Sequence, residues 1–486
     1  MKIATHFLRA LGVFTLTFGF VSSVISQTPA ENALAQAAQL EIAGRFNEAS
    51  NVLNQALTSN PPGALAGKIG FELERLQRIR MDFPLTRDAL FDRLQNSVRD
   101  LTTKEFNQWV SEGRFDSRNI DGQVWFMSSS VSNLFFRHPE LEARRVDASQ
   151  KDFLELCRSI KQAAQHEGRP YVLPKRFDVT MTVTVESNAA PAGQLIRAWL
   201  PIPRTYPYQT EIEIVTSSPP AKAIAPADSP IRSAYFEQSA NGGGPTEFML
   251  HYRYTHAAVW FDIDPKRVTP FDGHDPEIAA FAHESPHVIF TPEMRALSKR
   301  IVGADKNPAL QAKKIYDWIS ENIQYSFTPE YSTIRNISDY IRARGYGDCG
   351  QEALLFMTLC RLNGIPARWQ SGWRVGLGSG IHDWAEIYLA PYGWVPVDPT
   401  IGVWAVHTAT SLTPSERREV RDFYFGGLDQ WRMAANSDHS QTLSPPKNSF
   451  RSDDVDFQRG ELECGNQNIY FNHFSYKLSA VELPIK

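Results

Sequence analysis

Apolar positions recur at helical spacing through the first third of the chain. Ala33, Ala37 and Leu40, then Ala49, Leu53 and Leu57, mark two helices broken at Gly44-Arg45-Phe46. Further helices are predicted over Phe71–Arg80, ended by Pro84, and over Thr86–Val98, Thr102–Glu112 and Lys151–His166. Arg114–Arg118 and Gln123–Met127 flank Asp121-Gly122 and predict a β-hairpin. From Phe177 to about Ile263 the period changes to two. Asp178–Val185, Leu195–Pro201, Glu211–Thr216, Ser233–Gln238 and Glu247–Tyr254 alternate between Gly and Pro clusters, the pattern of a β-sandwich. The run Asn241-Gly242-Gly243-Gly244-Pro245 lacks the helix with Lys-Ser/Thr that a phosphate loop requires, so it is read as a hairpin tip. Helices return at Asp275–His283, Pro292–Val302 and Pro308–Ile323, and β-like segments close the chain at Asp456–Leu462 and Ile469–Leu478.

These shifts predict four regions: a signal peptide over 1–26, a helical region over 27–172, a β-sandwich over 173–268 and an α+β core over 269–486. The first helix pair is similar to one tetratricopeptide unit, with no second copy to pack against. The two helices and hairpin after it resemble a winged helix. At the amino terminus Lys2 and Arg9 precede 16 uncharged residues, Ala10–Ile25, too few to span a bilayer as a helix. Cleavage before Gln27 would export the chain to the periplasm or cell exterior and change its net charge from −4 to −6. That balance excludes nucleic acid as a partner. With 42% hydrophobic and 21% charged residues the chain is too apolar for disorder. Cys157, Cys349, Cys360 and Cys464 show no zinc spacing, and an oxidising compartment would permit one disulfide, Cys157 with Cys464.

His283-Glu284-Ser285-Pro286-His287 fits H-E-x-x-H, but a proline inside the span costs a helix roughly 3 kcal/mol, so no metal site is expected there. His251, His256, His274 and His407 follow no ligand spacing and are read as surface residues.

The chemistry concentrates farther on. Gly347-Asp348-Cys349 opens an apolar helix over Ala353–Leu362 that Gly364 can close in the left-handed conformation. Cys349 then lies in the first turn, where the helix terminus lowers a thiol pKa. Cys360, on the same face three turns deeper, is read as packing. His382–Leu389 and Trp394–Thr400 form a hairpin around Ala390-Pro391-Tyr392-Gly393. Centring its turn on residue 390 pairs Glu386 with Trp394, Trp384 with Pro396 and His382 with Asp398, with opposed Cβ atoms about 5 Å apart. Asp383 then points to the other face, and Glu386 is read as structural. Cys349, His382 and Asp398 together make a Cys–His–Asp triad.

These stretches resemble the transglutaminase-like superfamily over about residues 310–402: a Cys at a helix start, Gly364-Ile365-Pro366-Ala367-Arg368, His382-x-Trp384-x-Glu386, and Gly393-Trp394 running to Asp398-Pro399-Thr400. The resemblance implies a papain-like core, a buried helix carrying Cys349 against an antiparallel sheet, in an α+β multidomain chain. It further implies acyl transfer on an amide of a peptide, protein or cell-wall substrate, without metal or organic cofactor. The Cys349 N–H would supply one oxyanion donor and Gln324 or Tyr325 a second, with Trp384 packing the site. The competing expectation is a cell-envelope adaptor with an idle triad. On either reading the amino-terminal helices are the place for a protein partner.

Overall fold

Thr28 caps the first helix: its hydroxyl accepts from Glu31 N while the Glu31 carboxylate accepts from Thr28 N. The computed structural model describes residues 28–146, 153–376 and 380–485, so the expected signal segment lies outside the described residues. Helix α1 (Pro29–Ile42) turns through Gly44, at φ 75°, into α2 (Phe46–Thr58). Helix α3 (Gly63–Asp82) follows. The chain divides into two compact units, one ending at Leu73 and one beginning at Glu74. The helical region expected over 27–172 is therefore divided within α3.

In the second unit Thr86 and Thr102 cap α4 (Arg87–Gln95) and α5 (Thr103–Ser111). Asp121 and Gly122, at φ 51° and 86°, close the hairpin of β1 (Ser117–Ile120) and β2 (Gln123–Phe126), the backbone that a two-residue turn demands. The first strand starts three residues later than Arg114, where the sequence pattern put it. Helix α6 (Ser130–Arg137) packs Leu134 and Phe135 against Leu90, Phe106 and Trp109.

Helix α7 (Phe153–Glu167) leads into the sandwich strands β3 (Tyr171–Val185), β4 (Leu195–Pro201), β5 (Gln209–Ser218), β6 (Ala223–Ile224), β7 (Ser233–Ser239) and β8 (Thr246–Trp260). A short α8 (Pro276–Ala279), then α9 (Pro292–Val302) and α10 (Pro308–Asn322), precede β9 (Gln324–Tyr325), α11 (Ile337–Arg344) and β10 (Tyr346–Gly347). Then come α12 (Cys349–Leu362), β11 (Ala367–Arg374), β12 (Gly380–Leu389) and β13 (Gly393–Val397). The chain continues through α13 (Pro399–His407), α14 (Pro414–Phe423), β14 (Gly427–Leu428) and β15 (Arg432–Asn436). It closes with β16 (Glu461–Cys464), β17 (Gln467–Ile469) and β18 (Phe474–Leu483).

The core sheet runs β13-β12-β11-β15, antiparallel throughout. Every residue of α12 from Cys349 to Arg361 is buried. Its Ala353, Phe356, Met357 and Cys360 share one core with Trp369 of β11, Ala385 and Ile387 of β12, and Val395 and Val397 of β13. Those sheet positions are odd-numbered, so α12 covers one face of β12. Trp384, on the opposite face, packs with Tyr206, Tyr208, Val259 and Ala434.

The last three strands do not join the core sheet, contrary to the assignment of 269–486 to one domain. β18 pairs with β3 along its whole length and β16 pairs with β4, so both sandwich sheets are completed from the carboxyl end. Alternation identifies a strand but not the sheet that receives it. All four cysteines are free: Cys157 packs in the α7 cluster, while Cys464 Sγ lies 3.3 Å from Gln194 Oε1 in the sandwich, so the proposed bridge is not formed. Ser285 and Val288 bridge across a turn, so His283 and His287 share no helix face. His256 is fully buried on β8, not a surface residue.

Gly372 permits β11 and β15 to meet: a Cβ there would stand 1.8 Å from Met433 O. Gly372→Ala is expected to cost about 1–3 kcal/mol, because backbone cannot yield as a side chain can. A urea midpoint equal to wild type would contradict this packing.

Candidate active site

The site is built where the amino terminus of α12 meets β12. Asp348 caps the helix, accepting from Gln351 N at 3.2 Å, Tyr331 Oη at 2.6 Å and Thr328 Oγ1 at 2.9 Å. β10, just before it, pairs in parallel with β9. Gly347 has no room for a side chain, since a Cβ would meet Gln351 and Ile341 at 2.6 Å. Gly350 is tighter still: a Cβ there would lie 2.2 Å from Tyr331 Oη and 2.8 Å from both Asp383 Oδ2 and Trp369. The two glycines let the first turn rest directly on the sheet.

Cys349 Sγ donates to Asp383 Oδ2 at 3.3 Å. Among the described residues no hydrogen bond joins Sγ to the imidazole of His382, which leaves the strand on the other face. Asp383, set aside by the alternation argument, is thus the residue the thiol touches. The expected lowering of the thiol pKa is also reversed. Burial, then the carboxyls of Asp383 and Asp348, push it well above the ordinary thiol range and outweigh the helix terminus.

His382 Nε2 lies 2.8 Å from Asp398 Oδ2. The hairpin register differs from expectation by two: Glu386 faces Pro396 and Tyr388 faces Trp394, because Ala390-Pro391-Tyr392 fill the turn between Leu389 and Gly393. A shift of two preserves the face, so His382 and Asp398 meet as diagonal neighbours instead of direct ones. Asp398 has by then left β13 and caps α13 through Ile401 N at 3.2 Å. Arg432 Nη1 stands 2.8 Å from the same Oδ2, and Arg432 Nη2 2.8 Å from Asp429. Burial opposes the Asp398 charge, but His382 and Arg432 hold its carboxyl well below the usual range. Asp429, buried beside Arg432 and Arg374, is held at about 2. Burial lowers the His382 imidazole below its ordinary value despite Asp398.

Of the remaining expected residues, Gln324 turns away, with Nε2 3.4 Å from Arg137 O. Tyr325 stays near the thiol; burial and then Cys349 and Asp348 raise its phenol. Trp384 is fully buried, its ring 6.0 Å from that of His382, so it backs the imidazole and presents no open surface. Glu386 is structural, held by Arg368 at 2.7 Å, Gln370 at 2.9 Å and Tyr208 at 2.8 Å. Arg432, Tyr331, Asp456 and Gln458 were missed, and no local motif announces them. The helical region reaches the site through Asn133, whose side-chain amide donates to Phe327 O and accepts from Phe327 N, both at 2.9 Å.

Residues 295–399 match the family model described as the transglutaminase-like superfamily. The chain contains a transglutaminase-like core. It is 24% identical over 209 residues to an uncharacterized protein of Haemophilus influenzae, a match covering 36% of this chain and 55% of that one. It is 26% identical over 129 residues to the uncharacterized protein YebA of Bacillus subtilis, covering 22% of this chain and 17% of that one. The chain thus spans about half or less of these relatives. A crystal structure of a provisionally described cysteine protease from Cytophaga hutchinsonii aligns with TM-score 0.43 at 16% identity, over 65% of this chain and 92% of that one.

Arg432 is the cation for two buried carboxylates, so Arg432→Leu is expected to cost about 3–5 kcal/mol at pH 7. The sign with pH follows from the depressed carboxyls. Their stabilisation is complete above the ordinary value of about 3.9 and is lost as pH falls toward 2. The gap between variant and wild type should therefore narrow between urea titrations at pH 7 and pH 3. An equal gap at both would contradict the charge assignment.

Proposed function

We propose that this chain is an exported cysteine enzyme of the transglutaminase-like type that transfers the acyl group of an amide, with hydrolysis as its reaction. The observation that carries the reading is the 2.8 Å bond from His382 to Asp398, with the Cys349 sulfur 3.3 Å from Asp383, the next residue of the same strand. With Nε2–H given to Asp398, Nδ1 carries the lone pair and can take the thiol proton. The thiolate of Cys349 attacks the amide carbonyl, and the tetrahedral oxyanion is received by the Cys349 N–H, with Tyr325 as the nearer of the two candidate side chains. Imidazolium at His382 then returns its proton to the departing amine, leaving a thioester. Water, deprotonated by His382, releases the acid and regenerates the thiol. Asp398, kept ionised by Arg432, orients the imidazole throughout. Peptide or cell-wall amides are the substrate class; no helix among the described residues is long and apolar enough to cross a membrane.

A second reading, an envelope adaptor with an idle site, is favoured by one observation: the thiol bonds Asp383 and not His382. Screening labelled peptides and cell-wall fragments separates the two. For the enzyme, Cys349→Ala and His382→Gln each lower kcat/KM by about 10³-fold or more with folding intact. Turnover unchanged in both variants, or absent from wild type across the screen, supports the adaptor.

A further inference from the structure

The bond that the thiol makes leads to a second conclusion, which rests on the reading of Cys349 as nucleophile. Asp383 is fixed from behind. Gln458 Nε2 donates to its Oδ1 at 2.7 Å and to His382 O at 3.0 Å, which leaves Oδ2 aimed at Sγ. Asp456 stands beside the same carboxyl and receives the Ser371 hydroxyl and the Asn436 amide, the latter at 3.4 Å. Asp383 itself receives Gln458 at Oδ1 and the thiol at Oδ2.

We infer that Asp383 is a positioning residue that holds the Cys349 sulfur in the resting enzyme, and that the sulfur reaches His382 only when this bond is released. The groups facing Sγ and Asp383 are mostly acids: Asp348 from the helix cap and Asp456 from the loop before β16. Tyr325 and Tyr331 face them from the segment after α10. Across the strand stand His382, Asp398 and Arg432. In this company a carboxyl accepting S–H opposes the thiolate, and a neutral amide in its place would not. No step of the acyl transfer passes through Asp383; its effect is on the position and ionisation of the sulfur.

The test is site-resolved iodoacetamide labelling of the full chain, read peptide by peptide across pH. Asp383→Asn should label at Cys349 about tenfold faster than wild type near pH 7, with the rate–pH curve displaced by about one unit toward acid. Cys360, buried in the same helix, should stay unlabelled in both and so reports intact packing. A Cys349 rate that is unchanged or slower, including no labelling in either protein, overturns the inference. Should Cys360 become reactive in the variant, the decision moves to wild type. The infrared difference spectrum against Cys349→Ala at pH 7 should show an S–H band lowered by hydrogen bonding, and an absent or unshifted band overturns the inference. Turnover separates the two claims: loss of amide hydrolysis in Cys349→Ala alongside unaltered labelling in Asp383→Asn defeats only this inference. Wild-type hydrolysis in Cys349→Ala defeats the enzyme reading instead.

Discussion

Gly350 lets the first turn of α12 come down onto the Asp383 carboxyl of β12 and the Trp369 ring of β11. A single added carbon would strike a phenol, a carboxyl and an indole at once. Because the approach is so close, the sulfur of Cys349 lies 3.3 Å from the Asp383 carboxyl. The rest of the site adapts to this contact. β10 and β9 clamp the segment before the helix, and Asp348 ties that segment down through Tyr331 and Thr328. Asn133 of the helical region braces the same loop one residue away, at Phe327. The accessory regions thus position the loops around the nucleophile, while the carboxyl-terminal segment supplies Gln458 and Asp456 behind it.

The two faces of β12 differ in charge. On the face of α12, carboxyls crowd the thiol and keep its proton on. On the other, Arg432 sits among Asp398, Asp429 and the ring of Trp384, 5.0 Å away, and keeps Asp398 ionised for His382. The imidazole–carboxylate pair is thus assembled, whereas the sulfur is bonded to Asp383 instead.

Much of this was legible in the residues. Helix α12 was readable because Asp348 and Gly364 punctuate an apolar run, and Gly364 does adopt φ 72°. The shared face of His382 and Asp398 followed from the period of two, which survived a misplaced turn because the error was even. The same period could have found His256: the even positions from Thr246 to His256 of β8 are all buried. What was not legible depends on distance in space. Arg432, Asp456 and Gln458 arrive from segments without local signature. Asp383 was dismissed because alternation reports the face of a side chain and not what approaches the backbone beside it. The thiol pKa was misjudged for the same reason, since a helix terminus can be read from sequence and two converging carboxyls cannot.

The most direct measurement is a crystal structure of the chain after reaction with a peptidyl aldehyde or chloromethyl ketone. The account predicts a covalent bond at Cys349, with the sulfur withdrawn from Asp383 and lying within hydrogen-bonding reach of His382 Nδ1. An adduct at another cysteine, or one at Cys349 with the sulfur still on Asp383 and the imidazole out of reach, would contradict it.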